Sequence, residues 1–199
     1  MERDLADRVI KEGDRIANMV NKILSFAIPS DKKEKKSVVN IYEVMSDTLF
    51  LTKAQLKRDN VRVDLKIPID LSKILVYPQQ VQRVFLNAIS NARYSLNQKY
   101  PDVHENKILE ILGEETIIDN CLYVRITFYD HGIGMPADIK DRVTDTFFTI
   151  KQKNRGSELG LRVSHDIISS HGGKITIDSV EGRFTKFSVL LPVKPIETA

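Results

Sequence analysis

Apolar positions along this chain follow two rhythms, and the change between them marks its organisation. Over residues 1 to about 28 they recur at heptad-like spacing, with Leu5, Val9, Ile16, Met19, Ile23 and Phe26 in series and Glu12 the polar exception. Val20, Leu24 and Ala27 widen the stripe beyond what one partner helix covers, and Arg3, Asp7, Lys11, Asp14 and Lys22 form the charged face. One helix is predicted, stopped by Pro29 and followed by a charged linker over 30–37. It could pack on its own domain, but its place before a linker favours self-association in a bundle.

From Val38 the periods mix. Val38 and Val39 open a short apolar segment. Ile41 to Arg58 reads as an amphipathic helix, with Val44, Leu49, Leu51 and Leu56 among its apolar positions. After an Asp59-Asn60 turn, Val61 to Ile67 alternates as a strand closed by Pro68, and Ile74 to Val76 is a second short strand. Pro78 suits a helix start, and Gln79 to Lys99 continues it with Val84, Phe85, Ala88, Ile89 and Ala92 on the buried side. Ile108 to Leu112 and Cys121 to Tyr129 pair across an Asp119-Asn120 turn. In the second of these strands Leu122, Val124, Ile126 and Phe128 share a face. Ile139 to Phe148 is a short helix, and Lys151 to Ser157 has no apolar period. Leu159 to His171 is helical up to Gly172-Gly173. Lys174 to Asp178 and Thr185 to Leu191 flank a Glu181-Gly182-Arg183 turn, and Pro192 ends the fold. Helices among antiparallel hairpins predict an α+β, two-layer α/β sandwich with one sheet covered on one face, preceded by one long helix.

Composition narrows the classes. In 199 residues, 42% hydrophobic and 29% charged residues suit a globular chain with a proper core, as one domain plus an appendage. A formal charge of +3, without basic stretches interleaved with aromatics, argues against a nucleic-acid partner. Lys32 to Lys36 is accounted for as a solvated linker. Cys121, the single cysteine, excludes a disulfide framework and points to a reducing, cytoplasmic compartment. No apolar run approaches the ~20 residues of a membrane span, so no direct membrane contact is expected.

Candidate chemistry clusters in three places. Asp130 ends the alternating run and is followed by Gly132 and Gly134, so a fixed carboxylate stands at a strand mouth beside a backbone free to approach a flat ligand. Asn87 and Asn91 are four apart and share a helix face, and their neutral amide oxygens suit a magnesium ion bound mainly to phosphate and water. Gly156 to Leu161 precedes a helix, where free N–H groups and the helix dipole favour phosphate, although Ser157 could equally be a simple cap.

In this order and spacing the segments resemble the ATP-binding catalytic domain of bacterial sensor histidine kinases, within the superfamily that includes gyrase, the heat-shock chaperone and the mismatch-repair ATPases. The N box is similar to Arg83 to Ala92, the first glycine box to Asp130 to Gly134, and the F box to Asp145 to Lys151. The second glycine box is similar to Gly156 to Leu161, followed by His171-Gly172-Gly173 and Gly182 to Phe187. The resemblance covers about Val38 to Pro192. It implies a Bergerat-type mixed sheet over 38–193, a C-terminal tail over 194–199, and residues 1–29 as the second helix of a dimerisation and phosphotransfer hairpin. It also implies ATP as substrate, with Asp130 on the adenine amino group, Thr185 supporting that end, and Gly132 and Gly134 passing close to the base. Asn91 would hold Mg2+, with Asn87 and Tyr94 near the phosphates. Lys151 to Glu158 would form a lid, with Gly156, Ser157, Leu159, Gly160 and Leu161 at the phosphate-binding helix start. The implied partners are a homodimer and a response-regulator receiver domain.

Four features qualify the resemblance. Hydrolytic members carry glutamate where Asn87 stands. An amide cannot act as a general base, so Asn87 points to phosphoryl transfer onto a histidine rather than to water activation. None of His104, His131, His165 and His171 has the setting of an acceptor histidine, so the acceptor helix is expected outside these residues. Glu158 replaces a family glycine, and Tyr94 stands where some subfamilies place a lysine. A carboxylate beside the triphosphate is expected to weaken nucleotide binding, and it supports an alternative reading as a nucleotide-binding pseudokinase module.

Overall fold

A computed structural model describes residues 35–136 and 156–193, with the backbone alone for 156–159. The helix expected over 1–28, the one expected over 139–148, the F box and Lys151 all lie outside the described residues.

Strand β1 (Ser37–Val39) pairs with β3 (Ile74–Val76) as a small antiparallel ribbon. Between them come α1 (Ile41–Arg58) and β2 (Arg62–Lys66). Asn40 caps α1 by accepting the Tyr42 N–H at 2.9 Å, and Lys57 and Arg58 complement the dipole at its other end. The buried stripe of α1 is Ile41, Val44, Met45, Thr48, Thr52 and Leu56. Leu51, expected among the apolar positions, is instead 58% exposed beside Phe50. Thr48 and Thr52 take the inward places because each hydroxyl donates to the carbonyl four residues back.

Helix α2 (Pro78–Lys99) starts with proline at its first turn and buries Val81, Val84, Phe85, Ala88, Ile89, Ala92, Ser95 and Leu96. Its C-terminal half is tied to the end of α1. Arg93 Nε and Asn97 Nδ2 both donate to Asp59 Oδ2, and Arg93 also reaches Gln55. Burial pushes the Asp59 carboxyl up, but the Asn97 hydrogen bond and the Arg93 charge outweigh it and hold it below its ordinary value.

Strands β4 (Ile108–Ile118) and β5 (Cys121–Asp130) form the long hairpin, turning at Asp119 and Asn120, both with positive φ. β4 runs six residues beyond the Leu112 end expected from its apolar pattern, because backbone pairing to β5 continues from Gly113 to Ile118 after the core has been left behind. Helix α3 (Gly156–Ser170), β6 (Lys174–Val180) and β7 (Phe184–Pro192) complete the fold. The five-stranded order is β2-β4-β5-β7-β6, antiparallel throughout except that β2 and β4 run parallel, with α2 in the connection between them.

The core lies on one side of this sheet. Leu109, Ile111, Val124, Ile126, Phe128, Ile177, Phe187, Val189 and Leu191 meet the apolar faces of the helices. Phe128 touches Phe85 of α2 at 5.5 Å and Phe187 of β7 at 6.3 Å between ring centroids. The expected face of β5 is observed, and Asp130 continues it to the strand's end. The opposite face of the sheet is polar, with a shallow concavity among Glu110, Arg125, Tyr129 and Lys186, and it faces away from Asp130.

Candidate functional site

Register alone assembles a polar row at one end of the core face. Leu109, Asp130, Thr185 and Ser179 stand directly opposite one another across β4, β5, β7 and β6. Period two along β5 puts Asp130 on the face of Val124, Ile126 and Phe128, so the residue is 4% exposed. Ser95 Oγ donates to Asp130 Oδ1 at 2.8 Å and the Gly132 N–H donates to the same oxygen at 3.0 Å. Burial pushes the carboxyl up to about 6, against the pull of these two donors and of the His131 and Lys99 charges. Such a group is an acceptor at neutral pH, held in place and short of water. Thr185 is buried beside it and shares a hydroxyl contact of 3.2 Å with Ser179.

The loop after β5 is sewn to three neighbours. The Ile133 N–H donates to Ser95 Oγ, the Met135 N–H to Ser179 Oγ, and the Gly182 N–H to the Ile133 carbonyl. The two glycines serve this packing. A Cβ on Gly132 would stand 2.1 Å from Ser95 Oγ, and one on Gly134, whose φ is +66°, would stand 2.1 Å from the Val180 carbonyl oxygen. At both glycines the protein atoms around the loop already leave no room for a Cβ.

Asn87 and Asn91 are both half-buried on α2, and Tyr94 is 63% exposed. Asn87 Nδ2 donates to Ser164 Oγ at 3.0 Å, and Ser164 in turn donates to the Gly160 carbonyl at 2.9 Å. A Cβ on Gly160 would come within 2.3 Å of Asn87 Oδ1, so α3 meets α2 here with only an amide between them. Helix α3 begins at Gly156, earlier than the Leu159 expected from periodicity. Gly156, Ser157 and Glu158 lie in its first turn, while Gly160 and Leu161 lie in the second. Ser157 lies within the helix, and Leu161 packs half-buried against the core.

Asp130, Thr185, Gly132 and Gly134 are thus brought together at the sheet end, and Asn87 and Gly160 at the α2–α3 contact. Sequence reasoning missed Ser95, Ser164 and Ser179. Only Ser95 had a signal, standing four residues past Asn91 in the series Asn87, Asn91, Ser95 on one helix face. The far end of α3 is fixed to α2 by His171, which is buried. Its Nε2 accepts the Tyr77 N–H at 3.0 Å while Nδ1 donates to the Ile167 carbonyl at 2.7 Å.

Residues 77–195 match the family described as histidine kinase-, DNA gyrase B- and HSP90-like ATPases. Sporulation kinase E of Bacillus subtilis is 33% identical, across 94% of this chain and 23% of that protein. The sensor protein kinase WalK of Staphylococcus haemolyticus is 28% identical, across 94% of this chain and 30% of its own length. The chain therefore spans less than a third of these curated relatives. Among solved structures, the nucleotide-free catalytic domain of histidine kinase ThkA superposes with a TM-score of 0.62 at 22% identity, over 81% of this chain and 97% of that one. Full-length ShkA, in complex with AMPPNP, gives 0.63 at 20% identity, over 96% and 38%. At these identities the structural likeness speaks for the fold. With well over half its length matched to this family, and with the curated kinases above similar to it along nearly all of its residues, the chain belongs to the histidine kinase-, DNA gyrase B- and HSP90-like ATPases.

Proposed function

We propose that this domain binds ATP with its base at Asp130 and its phosphates between the Asn87–Asn91 face of α2 and the start of α3. Within a longer homodimeric protein it would transfer the γ-phosphoryl group to a histidine, and from there to a response-regulator aspartate. Residues 1–29 would then be the second helix of the dimerisation and phosphotransfer hairpin, 30–37 its linker, 38–193 the catalytic domain and 194–199 a tail. The observation that carries the reading is the buried, doubly hydrogen-bonded Asp130 carboxyl at the end of the sheet. An acceptor so placed suits an exocyclic amino group.

The residues also fit magnesium. No cluster of three or more His, Cys, Asp or Glu is placed to hold a metal among the described residues, so the ion would rest on phosphate, water and the Asn91 amide oxygen. When bound, it would neutralise phosphate charge. The chain's own contribution is positioning. The N–H groups at the start of α3 would face the phosphates, Asn87 is fixed by Ser164, and no carboxylate replaces Asn87 to activate water. Transfer to an intrinsically nucleophilic histidine needs no more than this.

Incubation of the chain with labelled ATP and a purified acceptor hairpin tests the proposal. Acid-labile phosphohistidine is expected. Free phosphate alone would make it a hydrolase, and neither product would make it a nucleotide-binding regulatory module, the reading that Glu158 favours.

A further inference from the structure

Ser95 is the point where helix α2 reaches the Asp130 carboxyl. Its hydroxyl is buried and has one proton to give. The Ile133 N–H can only donate, so at 3.1 Å it occupies the acceptor side of that hydroxyl, and the single proton goes to Asp130 Oδ1 at 2.8 Å. A Cβ on Gly132 would collide with both the hydroxyl and the carboxyl, so loop and helix are built closely around this one contact.

We propose that Ser95 is a specificity-determining residue of the nucleotide pocket: by donating to Asp130 it keeps the carboxyl ionised and acceptor-only, so the bound base must present an amino group rather than a carbonyl. This rests on the reading of Asp130 as the base-binding group. An ionised carboxylate accepts from the amino group of a 6-aminopurine and repels the oxygen of a 6-oxopurine, whereas a protonated carboxyl can donate to that oxygen. The burial that pushes Asp130 up to about 6 brings this exchange close to neutral pH, and the Ser95 and Gly132 donors oppose it. The charges acting on the carboxyl are those of Lys99 of α2, which donates to the His131 and Arg183 carbonyls, and of His131, whose ring meets Glu110. β7 and β6 contribute only the neutral Thr185 and Ser179.

Calorimetric titration of the whole chain with MgADP and MgIDP, from about pH 5.5 to about pH 8, reads both affinity and base preference. The wild-type protein is expected to prefer ADP, with the preference fading toward the acid end. In Ser95→Ala, ADP binding should weaken about tenfold near neutral pH, the scale on which a hydrogen bond to a charged group acts. The loss of preference should also move to higher pH. Ser95→Thr, which keeps the hydroxyl, should restore both. Should the alanine variant lose its native circular dichroism, Ser95→Cys keeps the volume with a weaker donor and must move the same two readouts. Equal weakening of ADP and IDP without a shift in the pH profile would show a packing role only and overturn the proposal. Asp130→Ala separates the two layers. If it retains tight ADP binding, the base assignment fails and the proposal with it. If it abolishes binding while Ser95→Ala leaves affinity and preference unchanged, the Ser95 proposal alone is overturned.

Discussion

Replacing Asp130 by asparagine should make the nucleotide-free domain more stable at neutral pH while removing its grip on the base. Asparagine is nearly isosteric and keeps an Oδ1 that can accept from Ser95 Oγ and from the Gly132 N–H. What it removes is a charge held away from water. Each pKa unit is worth 1.36 kcal/mol, so the climb from 3.8 to about 6 represents about 3 kcal/mol of destabilisation once the carboxyl is ionised. The sign follows from proton counting. Between 3.8 and about 6 the native state holds a proton that the unfolded chain has released, so stability falls as pH rises through this window and levels off above it. Urea denaturation of both proteins from about pH 4 to about pH 8 reads this directly. The variant should be more stable by about 1 to 3 kcal/mol at the alkaline end, with the difference shrinking toward the acid end. Saturating nucleotide should reverse the order, because only the wild-type protein gains the binding term, about 4.1 kcal/mol at a thousandfold excess over Kd. An asparagine variant that is less stable at neutral pH, or a difference that ignores pH, would refute the reasoning.

Three other substitutions probe separate contacts. Gly160→Ala should leave stability within about 1 kcal/mol, since the gain in helix propensity offsets the crowding. Its new Cβ must nevertheless displace Asn87 Oδ1 from 2.3 Å, so phosphotransfer should fall at least tenfold with the melting temperature nearly unchanged; a fully active variant would remove Asn87 from the phosphate site. Arg93→Ala takes one of two cations from the half-buried Asp59 carboxylate, leaving Arg58 and Asn97, and should cost about 1 kcal/mol in urea titrations near neutral pH. Because the Asp59 carboxyl is held below its ordinary value, this contribution is present above that value and is lost as pH falls through the lower one, so the variant's deficit should narrow in acid. Glu158→Gly should tighten binding of a non-hydrolysable ATP analogue several-fold by removing a repulsion of about 1 kcal/mol or more, and unchanged affinity would clear Glu158 of any role at the phosphates.

The legible parts of this fold are those where one physical signal dominates. α2 has a single apolar stripe and a proline at its start, and Val84, Phe85, Ala88, Ile89 and Ala92 are buried as its spacing predicts. α1 misleads at Leu51 because hydrophobicity cannot reveal that Thr48 and Thr52, satisfied by their own helix, are the residues turned inward. The outer half of β4 carries Gly113, Glu114 and Glu115, which read as a loop; it is a strand only because β5 lies alongside it. At the site, Asp130 and Asn87 were visible through the motifs that carry them. Ser164 and Ser179 were not, since a serine announces nothing until register and helix packing bring it beside a partner 77 residues away in one case and on the neighbouring strand in the other.

The strand order also bears on how the chain acquires its shape. β7, the last strand described, lies inside the sheet between β5 and β6. As residues emerge in order from the ribosome, β5 keeps an unpaired edge and β6 has no neighbour in the sheet until 184–192 arrive. Thr185 and the partner of Ser179 arrive with them, so no partial product can assemble the base-binding end. The long hairpin waits meanwhile with one edge open, the state in which strands most readily pair with the wrong chain. A stop codon before residue 184 would therefore leave an aggregation-prone remnant with no nucleotide affinity, while the helices that read so clearly in the sequence could already be formed.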